Sequence, residues 1–491
     1  MADWLIALSM MIIYLVIALV IGILSGRGQD KSSLNEFAVA GGGLGLFVMW
    51  FLMGGAVFSA FSFLGAPGWA YSMGAPAFYI IIYTAFAILP WYIVGPKIRK
   101  IGVKLNLYTL AGFFKGRYGG KTLPILIGLL ALFAFVQYLA TQMKGMAFIF
   151  NIMTGGRIDF WLGALLAYGI VVIYVATGGL RAAAWSDVFQ GILMILISWI
   201  VGIFVVIQLH DSIGGMFSSI AETKPGFLEI GHSGSNMSPI GYTTTILVSI
   251  FGFLMWPHLF SKSYVSKPKT IKQTVLAYPI FALFLVPLLL IGFAAVGVVD
   301  PDAVSSPDQI LPYLITAVIE MPGWIYGLVG AGALAAAMSS ADAITHSASL
   351  EFTDGVIKNI WPNLNDKKTL LTMRLGVIII GGFAYYITIF GGQGLIALLL
   401  GAYGAIVQFA PGVYGALYWK RATAPAVIIG MITGTLVNYY FQLVATSTPF
   451  DIHPGILGLI ANLILFITIS YVTKSQNKQA VSTYVDAKKI S

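Results

Sequence analysis

The sequence predicts an all-α polytopic membrane protein with thirteen transmembrane helices. Apolar residues make up 58% of its 491 residues and charged residues only 9%, whereas a soluble domain carries about 25% charged residues. The mean hydropathy is +0.90. Apolar stretches of about 20 residues, the length that crosses a bilayer as a helix, recur along the chain.

Thirteen such stretches can be placed in order. They lie near residues 4–25, 45–71, 76–95, 122–149, 159–178, 184–209, 241–260, 273–299, 322–350, 370–390, 394–418, 423–446 and 455–473. The first stretch has no basic segment before it and no small-residue cleavage site after it, so we expect a retained helix rather than a signal peptide. The chain has no cysteine, which excludes disulfides and thiolate metal sites.

Basic residues predict the orientation of these spans. Of the 27 Lys and Arg residues, 24 fall in alternate connections and the C-terminal tail, and only Arg157 and Lys224 fall in the other set. Cytoplasmic loops hold the excess of Lys and Arg, so we expect the N-terminus outside and the C-terminus in the cytoplasm. The cytoplasmic connection 97–121 contains the segment TLAGFFKGRYG, expected to lie at the inner membrane interface. The excess of basic residues therefore belongs to one membrane face and does not imply binding to nucleic acid.

Spans 2 and 7 contain helix-breaking residues. Span 2 includes Gly54, Gly55 and Pro67, and span 7 includes Pro257. Unwound backbone in a membrane is tolerated where protein or a water-filled cavity satisfies it. Two interrupted spans, five spans apart, are typical of inverted repeats that enclose a binding site, with spans 2–6 and 7–11 as the halves. A simple proline kink in each span is the alternative.

Span 9 contains the polar segment AGALAAAMSSADAITHSAS, residues 331–349. At 100° per residue, Ala336, Ser339 and Ser340 share one helix face, and Asp342 lies about 60° from Ser339. Hydroxyl and carbonyl oxygens on one face suit a hard cation. Close helix packing explains the small residues equally well at this stage.

Three segments resemble the sodium:solute symporter family. They are FSAFSFLGAPGWAY (58–71), TGGLRAAAWSDVFQG (177–191) and GALAAAMSSADA (332–343), and the likeness extends over about residues 5–475. The resemblance implies a LeuT-type fold with two inverted five-helix repeats. On that basis the whole chain is one transporter domain, with an extra helix at 4–25, repeats at 45–209 and 241–418, two further helices within 423–473 and a cytoplasmic tail at 474–491.

The resemblance also implies a sodium site at the junction of spans 2 and 9. Matching the segments residue by residue places backbone carbonyls at Gly55, Phe58 and Ala336 and hydroxyl ligands at Ser339 and Ser340. These span 9 positions are those that helical spacing puts on one face.

Two acidic residues are candidates for an ion path or a second cation site. Asp187 matches a family position on the sodium exit path, although an acid near a helix N-terminus can simply cap it. Asp342 and Ala343 stand where members with a second sodium site carry hydroxyls, so this sequence departs from the pattern of a second sodium site. Asp342 could instead bind a proton or pair with His346.

The substrate site is expected between spans 2, 3, 4, 7 and 11, as in the family. The candidates there are Ser59, Ser62, Tyr83, Gln142, Lys144 and Trp256. Val57 stands where a proline transporter of the family has an Asp, and few polar groups are available for sugar recognition. Lys144 could anchor a carboxylate, or its long stem could reach the outer interface. A small carboxylate, such as a monocarboxylate, fits this set best.

The sequence therefore predicts a plasma-membrane secondary transporter that couples sodium, as a transported ion, to a small organic solute. It is expected to act as a monomer in lipid, without nucleic acid. Proton coupling, and uptake of an amino acid or pantothenate, are the alternatives. A transporter-like sensor is disfavoured because only about 18 residues follow span 13. The sequence shows no nucleophile–base constellation, nucleotide loop or metal cluster that would indicate an enzyme.

Because the chain has no cysteine, single cysteines can report the predicted orientation directly. We expect Lys224→Cys to react with a membrane-impermeant maleimide in intact cells, and Lys368→Cys to react only after permeabilisation. The reverse pattern of labelling would contradict the orientation derived from the basic residues.

Overall fold

A computed structural model describes residues 2–27, 30, 32–231, 237–391, 402–474 and 478–486. All regular secondary structure in these ranges is helical. The first part of the chain forms helices α1 Asp3–Ser25, α2 Leu34–Val39, α3 Leu46–Gly55, α4 Ala66–Met73, α5 Tyr79–Phe86, α6 Trp91–Leu105, α7 Leu110–Tyr118, α8 Thr122–Met153, α9 Phe160–His210 and α10 Ile213–Thr223.

The remainder forms twelve further helices within the described ranges. They are α11 Pro239–Phe253, α12 Pro257–Phe260, α13 Pro268–Ala282, α14 Leu285–Ala295, α15 Ile310–Tyr313, α16 Gly323–Phe352, α17 Lys358–Ile360, α18 Asp366–Phe390, α19 Ala410–Tyr418, α20 Ala424–Leu443, α21 Pro454–Val472 and α22 Lys478–Val485. Residues 394–401 of predicted span 11 lie outside the described residues.

Eight helices in the described ranges are long and apolar enough to cross a membrane, or up to eleven when bent pairs are joined. The predicted total of thirteen stays a prediction. Helix α9 accounts for part of the difference, because its 51 residues would extend about 76 Å as one straight helix, more than twice the hydrocarbon thickness. Its backbone leaves the helical region at Gly179 (φ 56°, ψ −146°), between predicted spans 5 and 6.

Helix α16 lies in the interior of the fold. In its most apolar stretch, 94% of the residues are buried. The helix packs against α1, α8 and α9. Small residues permit this: a Cβ added at Gly330 would lie 2.6 Å from Met11 Sδ, and one at Gly332 would lie 3.0 Å from Ile197. Close packing, one of the two explanations for the small residues of span 9, is therefore present.

The segment expected at the inner membrane interface instead packs inside the protein as α7. Phe113, Phe114 and Arg117 are buried. Buried Glu351, near the C-terminal end of α16, accepts hydrogen bonds from the backbone N–H groups of Leu110 (2.6 Å) and Ala111 (3.0 Å). A carboxylate at a helix N-terminus stabilises it, so α7 is fixed to α16 rather than to lipid.

Candidate cation and substrate site

The helix of predicted span 2 is interrupted where the glycines predict a break. Helix α3 ends at Gly55, and helical structure resumes near Ala60 with one wide turn, Phe61–Gly65, before α4. Pro67 follows this wide turn, within helical structure that continues to Met73. The break is therefore at Gly55 and not at Pro67.

Side chains replace the hydrogen bonds that the interrupted backbone loses. Gln142 Oε1 accepts from the Ala60 N–H (2.9 Å), Ser62 Oγ from the Ser59 N–H (3.2 Å), and Ser59 Oγ from the Phe61 N–H (3.2 Å). All three side chains are buried. Three of the predicted substrate residues thus hold the break, because unpaired N–H groups are costly in a buried, apolar region.

The structure brings four of the five predicted sodium ligands together. The hydroxyls of Ser339 and Ser340 both donate to the Gly55 carbonyl, at 3.1 and 2.9 Å, and Ser339 is also 3.1 Å from the Ala336 carbonyl. The two serines and Ala336 are fully buried. Two carbonyl and two hydroxyl oxygens therefore meet where α3 ends against α16.

Phe58, the fifth predicted ligand, lies in the same break. The contacts that define its position are those of its ring, which stacks on Phe281 at a centroid distance of 5.0 Å and on Tyr278 at 6.2 Å. A role for its carbonyl oxygen stays a prediction.

Asp187 lies directly beside this junction. A Cβ added at Gly55 would be 2.8 Å from Asp187 Oδ1 and 2.9 Å from its Cγ, so a larger residue at the end of α3 would displace this side chain. Both carboxyl oxygens of Asp187 are buried without a hydrogen-bond partner among the described residues. A buried carboxyl group of this kind normally needs a partner, so the junction has an unsatisfied acidic side chain next to its carbonyl and hydroxyl oxygens.

Asp342 lies near Asp187 but is held differently. Its Oδ2 accepts from the Tyr174 hydroxyl at 2.8 Å, and its Oδ1 has no hydrogen-bond partner in the described part of the chain. His346 does not pair with it in these contacts: His346 Nε2 donates to the Phe37 carbonyl at 2.8 Å. The histidine thus ties α16 to α2.

Sequence reasoning missed Lys262. It was counted with the cytoplasmic basic residues, but it follows the break of predicted span 7 by five residues and is only 2% exposed. Its ammonium group interacts electrostatically with Asp187 and Asp342. The sequence offered one signal for this role, namely that Lys262 lies close to Pro257. A lysine that is buried beside a helix break requires carboxylate partners.

Aromatic side chains surround the other side of the break. Trp256 lies between Tyr138 (centroid distance 5.0 Å) and Tyr403 (5.3 Å), and Tyr403 reaches Tyr83 at 6.3 Å. The Trp256 Nε1–H is buried without a hydrogen-bond partner in the described ranges, and so is the hydroxyl of Tyr278, whose ring stacks on Phe58. Tyr83 and Trp256 thus belong to one cluster, which also contains Tyr138 and Tyr403, two tyrosines that the sequence did not single out.

Lys144 is not part of this cluster. It lines a cavity of about 490 Å³ together with Phe133, Gln137 and Thr388, between α8 and α18. On a helix, positions 142 and 144 point about 160° apart, so Gln142 turns toward the break while Lys144 turns toward α18. A substrate role for Lys144 stays a prediction and is not supported by proximity to the other candidates.

Tyr138 connects the cation ligands to the aromatic cluster. Its hydroxyl lies beside those of Ser59 and Ser340, and its ring packs on Trp256. The arrangement can therefore do two things chemically: bind a hard cation with oxygen ligands beside a carboxylate, and present N–H and O–H donors to a neighbouring solute.

Several known proteins resemble this chain over most of its length. Residues 37–434 match the sodium:solute symporter family. The uncharacterised symporter YhjB of Bacillus subtilis (strain 168) is 30% identical over 482 residues, covering 95% of this chain and 97% of YhjB. A monocarboxylate transport permease of Rhizobium johnstonii is 24% identical, covering 94% and 96% of the two chains. The sodium/proline symporter of Staphylococcus aureus (strain JH9) is 26% identical, covering 95% and 92%.

A solved structure shares the fold. The structure of a Na⁺-coupled sialic acid symporter superimposes with a TM-score of 0.79 at 19% identity, covering 96% of this chain and 99% of that chain. The relatives are transporters, which agrees with the expectation that the chain is not an enzyme.

Replacing Gln142 tests the account of the break. We expect Gln142→Leu to leave the Ala60 N–H without its acceptor and to lower the free energy of unfolding by about 1–3 kcal/mol, measured by thermal unfolding in detergent. Gln137→Leu, on the same helix but lining the cavity toward α18, is the control and should have a smaller effect. Equal losses for the two variants would contradict the assigned role of Gln142.

Proposed function

Because the chain belongs to the sodium:solute symporter family, we propose that it couples sodium entry to the uptake of a small organic solute by alternating access. It is an integral membrane transporter, and we place it in the plasma membrane with its N-terminus outside. The observation that carries the proposal is the convergence of the Ser339 and Ser340 hydroxyls on the Gly55 carbonyl, beside Asp187.

The donor set fits Na⁺. Hard cations prefer neutral and anionic oxygen ligands, and the junction supplies carbonyls from Gly55 and Ala336 with two hydroxyls. A cation there would take the oxygen lone pairs of both serines, whose protons would turn away from the Gly55 carbonyl. Asp187 would act as a nearby counter-charge.

Charge balance supports a monovalent cation. Ionising both Asp187 and Asp342 would set two carboxylates against the ammonium group of Lys262 in this buried region. The resulting net negative charge would be unfavourable in a low-dielectric interior. One Na⁺ bound at the junction would neutralise it. The cluster thus gives a physical reason for sodium to stabilise the closed junction of α3 and α16.

Coupling between sodium and solute follows because the two proposed sites share structural elements. Sodium that bridges Gly55 and Ser340 fixes the end of α3 against α16, and Tyr138 lies between Ser340 and Trp256. A solute bound at the aromatic cluster and a sodium ion at the junction therefore favour the same conformation. Each ligand then raises the affinity for the other by the same factor.

The solute class we favour is a small carboxylate. The unpartnered donors Trp256 Nε1–H and Tyr278 O–H suit anionic oxygens. The monocarboxylate permease among the relatives agrees with this choice. The sodium/proline symporter of similar identity makes an amino acid the alternative, and Val57 argues against a proline-type site.

Replacing the two serines tests sodium coupling. We expect Ser339→Ala with Ser340→Ala to lower the apparent sodium affinity of uptake into proteoliposomes by about 10- to 100-fold, because two cation ligands are lost. Ser349→Ala is a matched control, since its hydroxyl donates to the His346 carbonyl of the same helix. Uptake that ignores the sodium gradient, or that runs on a pH gradient alone, would refute the proposal in favour of proton coupling.

A thermal-stability screen tests the solute class separately. We expect short monocarboxylates to raise the unfolding temperature in sodium buffer and to have little effect in potassium buffer, because a ligand that binds the native state stabilises it. Proline and pantothenate serve as comparison ligands. Stabilisation by proline alone would overturn the carboxylate assignment while leaving the sodium site intact.

A further inference from the structure

His258 lies in the interrupted part of predicted span 7, where α11 has ended and α12 begins. The residue follows Pro257 and is only 1% exposed. Neither of its ring nitrogens has a hydrogen-bond partner of normal geometry among the described residues. Buried polar atoms normally have such a partner, so the imidazole is available to a group that the chain itself does not supply.

The imidazole ring belongs to the aromatic cluster around Trp256. Its centroid lies 5.6 Å from that of Trp256, 5.9 Å from that of Tyr138 and 5.7 Å from that of Phe135. The Nε1–H of Trp256 also lacks a partner in the described part of the chain. Two adjacent side chains of one buried cluster therefore carry unsatisfied polar atoms, and a solute that contacts Trp256 is also within reach of His258.

The break of predicted span 2 determines where the imidazole carries its proton. One ring nitrogen faces the carbonyl of Ala56, the residue that follows Gly55. Because a carbonyl oxygen only accepts hydrogen bonds, this nitrogen carries the proton. In a neutral imidazole the second nitrogen is then an acceptor. The cluster thus combines a donor, the Trp256 Nε1–H, with an acceptor, the second nitrogen of His258.

The charge of Lys262 decides which solute donor suits this acceptor. Lys262 follows His258 by four residues, is buried, and its ammonium group acts electrostatically on the imidazole ring. An ammonium group on the solute would be repelled at this position, and the repulsion would be strong because the region is buried. A neutral hydroxyl group donates the same hydrogen bond without that cost.

We propose that His258 selects solutes with a hydroxyl group on the carbon next to the carboxylate, so that the solute class is the 2-hydroxy acids. This inference rests on the proposed uptake of a small carboxylate. The Trp256 Nε1–H binds a carboxylate oxygen, and the hydroxyl donates to His258. A 2-oxo acid places a carbonyl oxygen there instead, which leaves the buried acceptor nitrogen without a proton to bind and weakens binding.

Uptake of lactate and of pyruvate into proteoliposomes under one sodium gradient tests the proposal. We expect the wild type to have an apparent KM about tenfold lower for lactate, which is about 1.4 kcal/mol, the size of one hydrogen bond. His258→Leu should bring the two KM values within about twofold of each other. His258→Gln, whose amide oxygen still accepts, should keep a preference of about threefold or more. The ratio of two KM values on one variant does not depend on how much protein has folded.

His346→Leu is the matched control, because it removes a second buried imidazole, one that bonds the Phe37 carbonyl. It should keep the preference of the wild type for lactate. A preference that survives in His258→Leu, or that is lost equally in the control, would overturn the role of His258. Alanine, which has an ammonium group in place of the hydroxyl of lactate, should have the higher KM, and the reverse order would overturn the choice of a hydroxyl.

The same uptake experiment separates this inference from the proposed function. Equal KM values for lactate and pyruvate in the wild type would overturn the inference and leave sodium-driven uptake of carboxylates intact. Uptake of neither acid by the wild type would refute the carboxylate class, and the inference with it.

Discussion

The backbone that leaves the helical pattern after Gly55 lies in the buried interior of a membrane protein, where no bulk water can replace its lost hydrogen bonds. Every polar group released there needs a partner. Gln142, Ser59 and Ser62 supply partners for the N–H groups. The carbonyl of Gly55 is left to the hydroxyls of α16, and this pairing is what a cation would replace. The proposed site therefore follows from the way in which the polar groups of the interrupted backbone regain hydrogen-bond partners.

The same junction links the functional parts of the molecule. Asp187 fits beside Gly55 because the glycine has no side chain, and Lys262 brings one positive charge to two buried carboxylates. Tyr138 extends from the Ser340 hydroxyl to the aromatic cluster around Trp256. A sodium ion at the junction would change the charge balance and the position of α3 together, which is the physical basis of the coupling proposed for solute uptake.

The predictability of the site differed from residue to residue. Helical spacing alone placed Ser339 and Ser340 on one face and the glycines marked the break, while the family resemblance led us to expect their meeting at Gly55. The position of Lys262 was not expected. A lysine that follows a predicted span is interpreted as a loop residue from the sequence, and only the fold buries it near acidic residues that are distant in sequence. Gln142 was expected to bind substrate; its Oε1 accepts a hydrogen bond from the interrupted backbone at Ala60, and a substrate role stays a prediction. The span boundaries largely followed hydropathy, while short helices such as α2 have no apolar signal.

The central claim is that sodium binds where α3 ends against α16 and that the solute stabilises this binding. Equilibrium binding of radioactive sodium to the purified protein tests it most directly. The account predicts saturable binding that unlabelled Na⁺ displaces and K⁺ does not, with an affinity that rises when the transported solute is present. Sodium binding that does not saturate, or whose affinity is the same with and without the solute, would contradict it.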